Sequence, residues 1–474
     1  MVNNKSNVLA KNSVFNLIYN ILNLLFPLIT AMYASRILLP EGMGKIAYAQ
    51  NITSYFILFA SLGLPTYGVR EIAKASYDEE QKDKVFTELM TVNFILSAIA
   101  SIVFLLFLYI NKDVLDIRLF ICCGLQLFLN FVNIDWLYRG VEEYVYIVCR
   151  SIAIKVLSLI ALFIFVKNSQ DYIAYALISS IALAGNYLFN IFHAHKFIHF
   201  NFKNIKIARH IKPLFVLGLA VLLSSIYSKI DITMLGMFYP ASEIGLYSNA
   251  FRIVQIATSV AISITTVFLP RLSLYYQTDK NQFFSLLGKG INVISFFVFP
   301  ITVGLLILAP NAVHLLFGRA FSGSIPTIRI LSILILIRGV GDLLCYQLAI
   351  ATGNENKRLP AYAMAALLNV ILNYLLIPVW GRNGAAVASV FSEALLNVIQ
   401  IIVLKKLIGY KIDAKPIFQG IVSSIIMGFA LFVLLCFNLT LLPQTILAIL
   451  FGGIIYIFIN IVFRNEFVMS IIKR

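Results

Sequence analysis

The chain has 474 residues, is 60% apolar and only 12% charged, and has a mean hydropathy of +0.90, which places it among polytopic membrane proteins and not among strings of soluble domains. Its net charge of +16 invites a nucleic-acid reading, but the basic residues gather in loops on one side of the membrane, so the excess is a topology signal and nucleic acid has no support as a partner. Five cysteines, Cys122, Cys123, Cys149, Cys345 and Cys436, fall within or at the edge of apolar segments and read as small buried hydrophobes, with no disulfide framework.

Hydropathy predicts fourteen spans, at 13–35, 45–67, 87–110, 118–138, 150–166, 172–193, 213–238, 244–269, 289–309, 326–350, 361–379, 384–404, 418–437 and 444–463. With the amino terminus inside, and Lys45, Arg118, Arg150 and Lys289 at the span edges counted with their loops, cytoplasmic segments hold 25 Lys and Arg, outer segments 7 and the spans 5. That asymmetry predicts a multi-pass protein with both termini in the cytoplasm.

In the first span Asn12, Asn16, Asn20, Asn23, Pro27 and Thr30 recur at steps of three and four, a single helix face. Amides in lipid are costly, so this face meets other helices or water. The fourth span repeats the pattern with Gln126, Asn130 and Asn133, and Asp135, Trp136 and Tyr138 fall at its cytoplasmic end. The loop from His193 to Lys212 also carries His195, His199 and His210 among Lys and Arg, with no carboxylate or thiol. It reads as a solvated basic loop against lipid headgroups, and no metal site is expected.

The stretch from Pro213 to Pro270 organises the rest. Its two spans contain Lys229, Asp231 and Arg252, and an ionisable group within a membrane costs about 2.5 to 17 kcal/mol unless it faces a partner or a wet cavity. If the turn is centred between Phe238 and Gly245, Asp231 and Arg252 lie level and pair. Lys229 points about 160° away from Asp231 and looks into a cavity; the alternative is that all three pin helices together. In the tenth span Arg338 and Asp342 stand at i, i+4 and can neutralise each other. Glu393, in the twelfth span with Ser389, Asn397 and Gln400 on its face, meets a cation elsewhere or is protonated. The last two spans have no charge before Arg464 and are expected to face lipid on all sides.

A weak internal echo links Pro40-Glu41-Gly42-Met43-Gly44 with Pro240-Ala241-Ser242-Glu243-Ile244-Gly245. Parallel repeats of this kind enclose a substrate path near the midplane. The longest outer segment, Pro310 to Ile325, has one Arg and no carboxylate, and no Gly-rich phosphate loop ends in Gly-Lys-Ser/Thr. An enzyme with an outer catalytic domain and an ATP-driven pump are therefore not expected.

Short motifs in a fixed order carry a family resemblance. They are Gly42-Met43-Gly44, Ala60-Ser61-Leu62-Gly63-Leu64, Gly68-Val69-Arg70-Glu71-Ile72-Ala73, Asp231-Ile232-Thr233-Met234-Leu235-Gly236, Gly245-Leu246-Tyr247-Ser248 and Leu269-Pro270-Arg271-Leu272. Gly353-Asn354, Asn369, Asn373-Tyr374-Leu375-Leu376-Ile377-Pro378 and Gly381-Arg382-Asn383-Gly384-Ala385-Ala386 follow. Over nearly its whole length the sequence resembles polysaccharide biosynthesis exporters, the Wzx-type flippases of lipid-linked oligosaccharides (O-antigen, capsule) in the multidrug/oligosaccharidyl-lipid/polysaccharide (MOP) superfamily.

The resemblance implies an all-α polytopic membrane protein of 14 transmembrane helices. Two six-helix bundles (1–200 and 201–410) related by a parallel pseudo-repeat would form a V-shaped cavity, and two extra C-terminal helices (411–474) would stand outside. It implies export of undecaprenyl-pyrophosphate-linked oligosaccharide across the bacterial cytoplasmic membrane, without a cofactor, with membrane lipids, the polysaccharide polymerase and the chain-length machinery as partners. Lys229, Arg338, Arg36 and Arg252 would neutralise the pyrophosphate, and Asn20, Asn23, Asn130 and Asn373 would bond sugars. Asp231, Asp342 and Glu393 would be coupling or structural carboxylates. A lipid II flippase and a cation-coupled multidrug exporter of the same superfamily are the alternatives; for the latter, Asp135 is the candidate acid in the first six spans.

Overall fold

The computed structural model describes residues 2–203, 205–410, 413–437 and 439–472, with the side chains of 2–18, 20, 21 and 220 outside that description. The described residues form helices and turns, with no strand. They divide into two compact units, Met1–Thr233 and Met234–Arg474.

Unit 1 holds α1 (Val2–Ser61), α2 (Leu64–Ala75), α3 (Glu79–Ile110), α4 (Ile117–Phe128), α5 (Asp135–Gly140), α6 (Tyr144–Phe165), α7 (Tyr172–Ala194) and most of α8 (Ala208–Phe238). Unit 2 holds α9 (Ala241–Thr265), α10 (Leu269–Thr278), α11 (Lys280–Leu316), α12 (Ser324–Gly341), α13 (Leu348–Ala351), α14 (Leu359–Ile408), α15 (Ala414–Leu435), α16 (Leu441–Val462) and α17 (Glu466–Ile472). Asp342–Gln347, between α12 and α13, is a π-helical segment.

Ten helices among the described residues are long and apolar enough to cross a membrane. All fourteen predicted spans fall on helix, because α1 and α14 are each two passes joined at a kink, and the passes at 118–138 and 326–350 are built from shorter pieces. Where the sequence suggests outer turns, the chain breaks at single residues. Leu39 (φ 59°, ψ 177°) leaves the helical region, its extended ψ fitting the residue before a proline, whose ring crowds the α conformation. In α14 the break is Gly381 (φ 53°, ψ −133°), a conformation natural only to glycine.

After that kink the two halves of α14 nearly touch: a Cβ on Gly384 would lie 2.3 Å from the Leu376 carbonyl oxygen. Backbone cannot rotate aside, so Gly384→Ala should destabilise by about 1–3 kcal/mol, the usual cost of overpacking. Gly453→Ala, where nothing lies within 4 Å, should be neutral or slightly stabilising. Thermal unfolding of the purified variants in detergent checks the contrast.

Helix starts are set by acidic caps. Asp78, Asp116, Asp279 and Asp413 each accept a backbone N–H at the start of α3, α4, α11 and α15, satisfying donors that have no partner within the helix. Large apolar side chains such as Ile102, Phe192 and Phe429 point outward, which fits a lipid-facing surface.

Two expectations change. The C-terminal pair does not face lipid on all sides, because Gly420, Ser424 and Gly428 form a small-residue stripe on α15. A Cβ on Gly420 or Gly428 would press on Phe299 or Val303 of α11, and the Tyr456 hydroxyl donates to the Phe296 carbonyl at 2.9 Å. Small residues let backbones approach where no hydrophobic drive exists between helices. The cysteines divide as well: Cys123 and Cys345 are buried, Cys122 is half-buried, and Cys149 and Cys436 are exposed.

Candidate functional site

Polar groups inside unit 1 form three centres. The first lies where the second half of α1 meets α8. Asn51 donates to the Lys229 carbonyl (3.2 Å) and to Thr233 Oγ1 (2.7 Å), and Tyr55 bonds the same Thr233 hydroxyl at 2.9 Å. These bonds fix the α8 turn that carries Lys229 and Asp231. Asp231 is buried and engaged, while Lys229 is half-buried and its ammonium has no ion-pair or hydrogen-bond partner among the described residues.

Nearer the start of α1, Asn23 Oδ1 accepts a hydrogen bond from Lys155 Nζ at 2.6 Å. Lys155 is buried on α6 and lies over the rings of Phe26 (5.6 Å) and Tyr19 (6.0 Å). No carboxylate faces it among the described residues. Sequence reasoning passed over Lys155, although Ser151, Lys155 and Ser158 share the buried face of α6 at helical spacing. Of the amide stripe on α1, Asn12, Asn16 and Asn20 lie outside the described side chains, and Thr30 turns back to the Phe26 and Pro27 carbonyls.

The second centre is a cavity of about 140 Å³ bordered by Ser61, Asn93, Asn130, Asn133, Asp135 and Arg139 among others. Asn130 is buried and its amide is already shared: Nδ2 donates to Ser97 Oγ (2.9 Å), and Oδ1 accepts from Ser61. Asp135, read as an interfacial acid, accepts from Arg150 (3.0 Å) and Asn190 (2.7 Å). Arg150 in turn donates to Asn186.

The third centre corrects the solvated-loop reading at one residue. His210 is buried, 2.8 Å from Glu88 through Nε2 and 2.9 Å from the Tyr67 hydroxyl through Nδ1. Arg209 Nε also donates to Glu88, at 2.9 Å. This network ties the first turn of α8 to α2 and α3. His193 stacks on Tyr146 at 3.9 Å, whereas His195 and His199 are exposed.

In unit 2, Arg338 reaches Glu393 on α14 through Nε (3.0 Å) and Nη2 (2.9 Å) and lies over the Phe251 ring. Glu393 thus finds its cation on another helix. Asp342, one turn after Arg338, accepts from Thr265 Oγ1 at 2.8 Å and from Gln347, so the self-contained i, i+4 pair gives way to links between helices. Arg338, Asp342 and Glu393 line one cavity of about 230 Å³ with Arg358, Asn397 and Gln400. The remaining candidates stand apart from it. Asn373 is buried and donates to Asn369 (3.1 Å). Arg252 is half-buried with one guanidinium nitrogen that has no hydrogen-bond partner. Arg36 is exposed.

The chain is 23% identical over 393 residues to the "Putative O-antigen transporter" of Shigella dysenteriae, covering 82% of this chain and 98% of that one. It is 25% identical over 399 residues to the "Capsular polysaccharide biosynthesis protein CapF" of Staphylococcus aureus, covering 81% and 96%. Its fold is similar to that of the lipid II flippase MurJ in an inward closed conformation, with a TM-score of 0.77 at 16% identity over 97% of this chain and all of the other. An inward-facing multidrug resistance MATE family transporter of the MOP superfamily aligns with a TM-score of 0.66 at 14% identity, covering 81% of this chain and 94% of the other. The family profile described as "Polysaccharide biosynthesis protein" matches residues 9–275. That match takes in more than half of the chain, and this multi-pass membrane protein belongs to the polysaccharide biosynthesis protein family.

Proposed function

We propose that this protein is a flippase, not an enzyme, which carries undecaprenyl-pyrophosphate-linked oligosaccharide from the cytoplasmic to the outer leaflet of a bacterial cytoplasmic membrane. The observation that carries the reading is the pair of span lysines in unit 1, Lys155 and Lys229, for which no carboxylate partner is described. Uncompensated charge at membrane depth is expensive and is retained where it serves a ligand or ion path. A pyrophosphate is the matching anion, and ammonium-to-phosphate bonds strengthen when water is excluded. Arg338 is a weaker phosphate ligand, since Glu393 balances its charge.

In this reading the bundles of residues 1–200 and 201–410 rock between inward and outward states, the helix pair of 411–474 is accessory, and both termini are cytoplasmic. The polyprenyl tail stays in lipid throughout, and the delivered units pass to the polysaccharide polymerase and chain-length machinery. Deleting the gene should make lipid-linked repeat units accumulate on the inner leaflet while drug sensitivity is unchanged. Normal surface polysaccharide with altered drug tolerance would overturn the reading in favour of a drug exporter, and accumulation of lipid II would redirect it to peptidoglycan.

A further inference from the structure

The unit 2 cavity differs in kind from the lysine pair because its charges balance. Two guanidiniums, Arg338 and Arg358, stand against two carboxylates, Asp342 and Glu393. A phosphate can only accept hydrogen bonds at its ionised oxygens and would be repelled by both carboxylates. A sugar hydroxyl donates and accepts, so it can serve the carboxylates and the guanidiniums alike.

Gln400 adds an unmet donor beside these charges. It is 2% exposed, its Oε1 accepts from Arg358 Nε at 3.2 Å, and its Nε2 is buried with no hydrogen-bond partner. An unmet buried donor costs about 1–3 kcal/mol, a cost that an acceptor on a bound ligand would offset. Tyr346, also on the lining, is 46% exposed and has Arg358 4.8 Å from its ring centroid, which leaves ring surface for the apolar face of a sugar. The volume, about 230 Å³, is below the roughly 300–1,000 Å³ of pockets for drug-sized ligands and suits one ring, not a whole repeat unit. The charge-derived topology puts these residues in the cytoplasmic half of spans ten to twelve.

We propose that this cavity selects the glycan: it binds one hydroxyl-rich sugar ring of the lipid-linked substrate on the cytoplasmic side. The proposal rests on the flippase reading. Its test is equilibrium binding by the full-length protein in lipid nanodiscs. The probes are undecaprenyl pyrophosphate and the same lipid bearing a single glucose, galactose, N-acetylglucosamine or N-acetylgalactosamine. At least one glycosylated probe should bind about fivefold tighter than the sugar-free lipid, the worth of roughly one hydrogen bond. Gln400→Leu and Tyr346→Ala should each bring that ratio to about one with affinity for the sugar-free lipid unchanged.

The proposal is overturned if no sugar adds affinity, if both variants keep the wild-type preference, or if Gln400→Leu weakens the sugar-free lipid equally, which would mark an anion site. Should Gln400→Leu melt early and fail to fold, the exposed Tyr346→Ala decides alone. Failure to bind even the sugar-free lipid would sink the flippase reading as well, whereas sugar-blind binding of that lipid sinks only glycan selection.

Discussion

Lys229→Met should lower export by on the order of 100-fold while the protein still inserts, and Lys155→Met combined with it should abolish export. The physical reason is that a hydrogen bond to a charged group is worth about 1.5–3 kcal/mol, each 1.4 kcal/mol being tenfold. Methionine keeps the length and the apolar stem, so the fold should survive the exchange. Lys229→Arg keeps the charge and should retain a measurable fraction of activity. Surface polysaccharide per cell, normalised to protein in the membrane fraction, is the readout. Wild-type export from the double variant would remove the anion-binding role of unit 1.

The second large effect concerns stability. Arg338→Leu takes the guanidinium away from the Glu393 carboxylate, which is 8% exposed, and should cost about 3–5 kcal/mol, the usual result of removing one partner of a buried pair. Replacing both, as Arg338→Leu with Glu393→Leu, should recover most of the loss, because a well-packed apolar pair is often no worse than the ion pair. Thermal unfolding in detergent separates the cases: equal destabilisation in the single and the double variant would mean that the pair is held by more than its own charges.

The spans were legible because runs of about twenty apolar residues have few other uses. The same averaging hid what lies inside them. A hydropathy window that opens at residue 150 treats Arg150 as a loop charge, so its bonds to Asp135 and Asn186, on other helices, were invisible. Lys155 was counted but not placed on a face. For Glu393 the need for a cation followed from its own span, yet the identity of that cation did not, because Arg338 is 55 residues away and only the packing of α12 on α14 joins them. His210 was misread for a related reason: its acid, Glu88, lies 122 residues earlier. The kinks were half visible, since Pro40 and Gly381 mark them, but composition could not say that one residue would suffice for each break.

The wide turn at Asp342–Gln347 accommodates a residue that ordinary helical winding has no place for. Loss of a single codon there would be absorbed by tightening that turn, so the flanking segments keep their faces relative to Arg338 and only the side chains within the turn are re-aimed. Specificity in such a lineage can thus change by slippage in reading-frame-sized steps, and pairs of homologues differing in length at this point are the natural place to look for altered cargo.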